Sequence, residues 1–279
     1  MNRLIALLVL AATATAVRAD QWKLVWSDEF NEPGLPNPDK WGYETGFVRN
    51  NEAQYYTRAR KENARVENGK LIIEARKEHW PSSSVAPAKK ARGRSRRGGA
   101  ANYTSASLTT QGKAAWTYGR IDVRAKLPGG RGTWPAIWCL GTNITQVGWP
   151  ACGEIDIMEH VGFEPGVIHA TVHTNTREKR GHVSKGGKTP CPDAAEAFHV
   201  YRVDWDARKM DFYLDGQKYF TYGKEGNAAA AWPFDKEQYL ILNLAIGGAW
   251  GGQKGVDDSI FPRSYVIDYV RVYQKPQPK

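Results

Sequence analysis

The chain has 279 residues, 41% hydrophobic and 24% charged, a composition that excludes global disorder, a collagen-like chain and a multi-span membrane protein. Its net charge of +10 suggests a nucleic-acid footprint until the charge is located: Lys89, Lys90, Arg92, Arg94, Arg96 and Arg97 with Arg3 and Arg18 account for eight of the ten. Without them the body is nearly neutral, so a nucleic-acid partner is not expected.

Residues 1–19 read as a signal peptide, with a short positive start at Asn2 and Arg3, an apolar stretch from Leu4 to Val9 and an Ala run, and small residues at Val17-Arg18-Ala19. The mature chain then begins near Asp20 and is secreted or periplasmic, with no membrane partner after cleavage. From Asp20 no linker or break in composition appears, so residues 20–279 read as a single domain. Within it, 81–101 is rich in Pro, Ser, Ala and Gly and carries the basic run, which makes it a solvated loop insertion rather than a docking helix.

Period-two alternation and β-branched runs dominate the rest. Leu71 to Arg76, Gly119 to Lys126 and Val266 to Tyr273 read as half-buried antiparallel strands. Met210 to Leu214, Asp215-Gly216 and Gln217 to Thr221 form a hairpin signal, because Asp-Gly accepts the positive φ of a tight primed turn. Ala194 to Phe198 makes one short helical turn, and no long helix is expected. The predicted fold class is therefore all-β, a sandwich of two antiparallel sheets. Cys139, Cys152 and Cys191 allow at most one internal disulfide, and the sequence does not choose the pair.

The chemistry concentrates in Gly153-Glu154-Ile155-Asp156-Ile157-Met158-Glu159-His160. On a regular strand Glu154 and Asp156 share one face and Glu159 falls on the other. A β-bulge at Ile157 or Met158, which we assign to Met158, restores Glu159 to the face of the first two acids. Neighbouring carboxylates raise one another's pKa and so divide into a proton-holding acid and ionised partners, the division that glycoside hydrolysis requires. Three acids on one strand also suit a calcium site or a plain solvated face. What favours the catalytic reading is the aromatic surround, Trp134-Pro135-Ala136-Ile137-Trp138, together with a total of eleven Trp and thirteen Tyr, since indoles stack on the C–H face of sugars.

These residues resemble glycoside hydrolase family 16 in its laminarinase-like branch. The resemblance rests on WPACGEIDIMEH at Trp149 to His160 with the upstream WPAIW. It extends through WSDEFN, NNEAQYYT, YGRIDVRAKLP, HATVHT, FHVYRVDW, LILNLAIGG and IDYVRVY. It implies a β-jelly roll whose concave sheet carries an open groove. It implies a retaining endo-hydrolase of β-1,3-glucan or mixed-linkage β-glucan, acting as a monomer on its polysaccharide partner. Glu154 is then the nucleophile, Glu159 the acid/base and Asp156 the carboxylate that hydrogen-bonds the nucleophile. Trp134, Trp138 and Trp250 are implied sugar platforms, and Asn51, Tyr55 and His173 further substrate contacts. Catalysis needs no cofactor, but a structural calcium is implied at Glu29, a carbonyl near Gly69, and Asp268. Ala249-Trp250-Gly251-Gly252 departs from the Pro-containing turn of that pattern. Two alternatives stand beside this reading: an agarase- or carrageenase-like galactan hydrolase of the same family, and a non-catalytic polysaccharide-binding protein.

Overall fold

The computed structural model describes residues 22–81, 100–175, 181–224 and 232–276. The leader 1–19 and the basic run 89–97 lie outside the described residues. In chain order the strands are β1 (Lys23–Asp28), β2 (Gly42–Glu44), β3 (Gln54–Tyr56), β4 (Ala64–Glu67), β5 (Lys70–Trp80), β6 (Ala101–Ser105), β7 (Ser107–Thr109), β8 (Gly119–Lys126) and β9 (Thr133–Gly141). After a single helical turn, α1 (Ile144–Val147), come β10 (Glu154–Glu159), β11 (Val167–Thr174), β12 (Val183–Pro190), β13 (His199–Trp205), β14 (Lys209–Leu214), β15 (Gln217–Gly223), β16 (Gln238–Ile246) and β17 (Arg263–Gln274).

They form two sheets. One has ten strands in the order β15-β14-β13-β8-β17-β5-β6-β3, with β1 beside β17 and β4 beside β5; the other has seven, ordered β12-β11-β10-β9-β16-β7-β2. Pairing is antiparallel except between β3 and β6, which run parallel, so the larger sheet is mixed rather than purely antiparallel. The two sheets enclose one apolar core, to which Ile137, Cys139, Ile155, Ile168, Val172, Leu242 and Leu244 come from the seven-stranded sheet and Ile121, Val123, Val203, Ile267 and Val270 from the ten-stranded one. This is a β-jelly-roll sandwich.

The predicted local signals appear as expected. β8 spans the predicted residues, and Asp215 (φ 48°) and Gly216 (φ 80°) close the β14–β15 hairpin with Leu214 opposite Gln217. Residues 193–197 make a hydrogen-bonded turn in which Ala197 N–H donates to Asp193 O at 2.9 Å. All three cysteines are buried free thiols.

Alternation positions the site. On β9, Ile137 and Cys139 enter the main core while Ala136, Trp138 and Leu140 point the other way, where they pack with Tyr239 and Ile241 of β16 and with Cys152. β16 is buried along its whole length because both of its faces are covered. On β11, Ile168, Ala170 and Val172 enter the core and leave His169, Thr171 and His173 on the outward face.

Candidate active site

The segment before β10 is held tightly. Gly153 has φ +77°, and a Cβ there would meet Phe234 at 2.6 Å and Pro233 at 2.7 Å, so glycine is required at the residue preceding the first acid. Along β10, Glu154, Ile155 and Asp156 stand opposite Leu140, Cys139 and Trp138 of β9, and the pairing then resumes with Met158 opposite Ile137 and Glu159 opposite Ala136. Ile157 is the unpaired residue. Against β11 the same irregularity spans Asp156 to Glu159, which face Thr171 and His169. The bulge is therefore present, but its extra residue is Ile157 and not Met158. Ile157 and Met158 are both fully buried in the main core, and this double inward step turns Glu159 outward beside Glu154 and Asp156.

Each acid has distinct partners. The Trp149 indole N–H donates to Glu154 Oε2 at 2.8 Å, and His173 Nε2 lies 3.6 Å from Glu154 Oε1 and 3.2 Å from Asp156 Oδ2. Asp156 also shares a hydrogen bond with Glu154. The Trp134 indole N–H donates to Glu159 Oε1 at 3.0 Å. Among the described residues no lysine or arginine pairs with any of the three.

Their proton affinities follow. Burial, then the neighbouring Asp156 charge, push Glu154 up to about 8 against the opposing pull of His173 and the Trp149 N–H. Burial likewise carries Asp156 up to about 8, opposed by its hydrogen bond with Glu154. Glu159 is driven well above the usual carboxylate range by burial and by both neighbouring acids, with the Trp134 N–H acting the other way. The Trp149 N–H and the nearby His173 favour the anion at Glu154. Glu159 has one indole donor and two acidic neighbours, and it keeps its proton.

Around the acids, Trp134 meets Trp250 edge to face at 5.6 Å, and Trp250 meets His169 at 5.0 Å. Trp138 is held from both sides. Its N–H donates to Asn243 Oδ1 at 2.7 Å, Asn243 Nδ2 donates to the Tyr56 hydroxyl at 3.0 Å, and the Arg49 guanidinium lies over the ring at 4.7 Å. Arg49 is itself paired with Glu44.

A model of glycosyl hydrolases family 16 matches residues 51–271. The chain belongs to that family. A β-glucanase of Rhodothermus marinus is 48% identical over 266 residues, which is 92% of this chain and 87% of that protein. The X-ray structure of the laminarinase from Rhodothermus marinus superposes with a TM-score of 0.80 at 46% identity, covering 92% of this chain and 99% of that one. A non-specific endo-β-1,3(4)-glucanase of family 16, co-crystallised with 1,3-β-D-cellotriosyl-glucose, superposes with a TM-score of 0.81 at 46% identity over 92% of this chain and 96% of that one.

Of the substrate contacts implied for a family 16 chain, Trp134, His173 and Trp250 gather with the acids, and Trp138 shares their face. Asn51 and Tyr55 do not join the acids' hydrogen-bond partners. Asn51 is exposed in a left-handed turn (φ 53°), and Tyr55 is buried between Phe47 and Trp80. It is the neighbouring Tyr56 that reaches the polar floor through Asn243. The sequence reading also missed Trp149, although it stands in the quoted motif, and His182, whose Nε2 lies 2.9 Å from His173 Nδ1.

The implied calcium set does not fit as arranged. Both Glu29 oxygens accept from Arg271 at 2.9 Å, and Asp268 pairs with Arg124 and lies 3.9 Å from Lys70 Nζ. Three cations already face the two carboxylates that calcium would need.

Proposed function

We propose that the protein is a secreted or periplasmic, monomeric endo-β-1,3(4)-glucanase that cleaves laminarin-type or mixed-linkage β-glucan with retention of configuration. The observation that carries this reading is the Ile157 bulge, which puts Glu159 on the face of Glu154 and Asp156. Glu154, favoured as the anion by Trp149 and His173, attacks the anomeric carbon while Glu159 gives its proton to the departing glycosidic oxygen. The product is a glycosyl ester on Glu154. Glu159, now a carboxylate, takes a proton from a water that attacks the same carbon and releases Glu154. Asp156, through its hydrogen bond with Glu154, steadies the charge that appears and disappears there. These carboxyl groups supply both nucleophile and proton, so no cofactor is needed.

β-Glucan as the substrate is supported by the relative that presents a 1,3-β-D-cellobiosyl-glucose at its active site, and export by the leader at 1–19. The test is incubation with laminarin, lichenan, agarose and carrageenan, counting reducing ends and following the first anomer by NMR. Hydrolysis of the two glucans with the β anomer appearing first is expected. Cleavage confined to the galactans, an α product, or no hydrolysis by folded protein would each overturn the proposal. A mature N-terminus at Asp20, read by mass spectrometry of secreted protein, checks export.

A further inference from the structure

Away from the acids, the connection from β12 to β13 turns back on itself and is pinned at both sheets. Cys191 N–H donates to Gly166 O at 2.7 Å, Ala194 N–H to Cys191 O at 3.1 Å, and Leu127 N–H to Ala194 O at 2.9 Å. This turn brings Cys191, Asp193 and His199 together, with one donor atom of each lying within 4.8 Å of the others. Cys191 is buried, Asp193 is exposed, and His199 opens β13.

The imidazole is oriented from behind. His199 Nδ1 lies 2.7 Å from Asp215 Oδ2, while the other Asp215 oxygen accepts from Val200 N–H at 2.7 Å. A carboxylate only accepts, so Nδ1 carries a hydrogen and Nε2 is the nitrogen left to meet a further partner. Among the described residues that Nε2 is buried without a hydrogen-bond partner, and it faces Asp193 Oδ1 at 3.3 Å. At that separation the nitrogen and the carboxylate oxygen can share one cation between them. Two ligands about 2.0–2.1 Å from a tetrahedral ion stand roughly 3.3–3.4 Å apart.

We infer that Cys191, Asp193 and His199 form a binding site for a borderline-soft divalent cation of the zinc class, with Asp215 as the carboxylate that orients the histidine. One sulfur, one imidazole nitrogen and one carboxylate oxygen suit such an ion far better than calcium or magnesium, and the carboxylate–histidine pair is the outer support that metal-bound histidines use. Burial, with Asp193 and Asp215 nearby, pushes the free thiol up to about 12. Loading therefore breaks the S–H bond, sends the proton to solvent and forms a sulfur–metal bond, with no change of oxidation state. The ion joins the end of β12, an edge of the seven-stranded sheet, to β13 of the ten-stranded sheet. It is a staple across the sandwich, independent of the hydrolytic reading.

The test uses the full mature chain stripped with chelator and titrated with Co²⁺ and then Zn²⁺. One Co²⁺ per chain with a thiolate-to-cobalt charge-transfer band is expected, displaced by Zn²⁺, and Zn²⁺ should raise the melting temperature. Cys191→Ser should abolish the band and leave laminarin hydrolysis unchanged, and the exposed change Asp193→Asn should weaken Zn²⁺ binding about tenfold or more. Glu154→Gln should keep the band, which separates this site from the catalytic acids and His173. No band in the wild type, a band that survives Cys191→Ser, or Zn²⁺ affinity unmoved by Asp193→Asn would overturn the inference. If Cys191→Ser fails to fold, Asp193→Asn decides.

Discussion

Carboxylates keep opposite company on the ten-stranded sheet and on β10. On the ten-stranded sheet Asp122 accepts both arms of Arg202 at 2.6 and 2.8 Å, and Asp204 accepts both arms of Arg120 at 2.7 Å. The hydrogen bonds of Arg60 hold Glu78 below the usual carboxylate range. On β10 of the seven-stranded sheet, three carboxylates face one another, one histidine and two indole N–H groups, and all three are pushed upward. The residue types are the same and the roles diverge. An acid beside arginine stays ionised and acts as a strut, whereas acids crowded together share protons and can transfer them.

The largest effect expected from breaking this contrast is at Glu154. Glu154→Ala should lower kcat on laminarin by on the order of 10⁴-fold with an unchanged far-ultraviolet spectrum, because the side chain leaves the outward face and opens no core cavity. Added azide should restore turnover and yield an α-glycosyl azide. Near-normal hydrolysis by the folded variant would remove Glu154 from the mechanism.

Next in size is the bulge. Deleting Ile157 leaves Met158 to pair regularly and displaces Glu159 by about an ångström relative to Glu154, which should cost about a hundredfold in rate. Ile157→Val keeps the residue count and should cost only about 1 kcal/mol of stability with little loss of rate. Equal damage from both changes would mean that the side chain matters and the spacing does not.

The proton held by Glu159 has a price in stability that depends on pH. Its folded pKa lies above the ordinary 4.5, so between 4.5 and the folded value the native state binds a proton that the unfolded chain has released. Stability is therefore present below 4.5 and is lost as pH rises through that window. Glu159→Gln has no such loss. Its melting temperature should match the wild type near pH 4.5 and pull ahead with rising pH, by up to about 2–4 °C per pH unit. A gap that widens toward acid would reverse the assigned direction.

The smallest effect belongs to the other sheet. Asp204→Asn breaks a partly exposed pair and should cost no more than about 1 kcal/mol by denaturant titration, with hydrolysis unaltered.

Much of this was legible in the residues. Parity along Glu154 to Glu159 requires one extra residue, and the structure has one. Which residue is unpaired depends on the register of β9, and two apolar neighbours that both enter the core give no sign of it. The same limit separates Tyr55 from Tyr56. β3 is buried throughout, so alternation does not say which tyrosine reaches Asn243. Glu29 and Asp268 looked free to bind calcium because Arg271 and Arg124 become their partners only when strands distant in sequence pair. Trp149 reaches Glu154 from a connection outside any strand, where no periodicity points to it.

The central claim is the division of labour between Glu154 and Glu159, and trapping the covalent intermediate tests it most directly. A 2-deoxy-2-fluoro β-glucosyl donor with an activated leaving group should form a stable ester, located by fragmentation mass spectrometry of the peptide that carries both glutamates. The account predicts the sugar on Glu154. The sugar on Glu159 would contradict it.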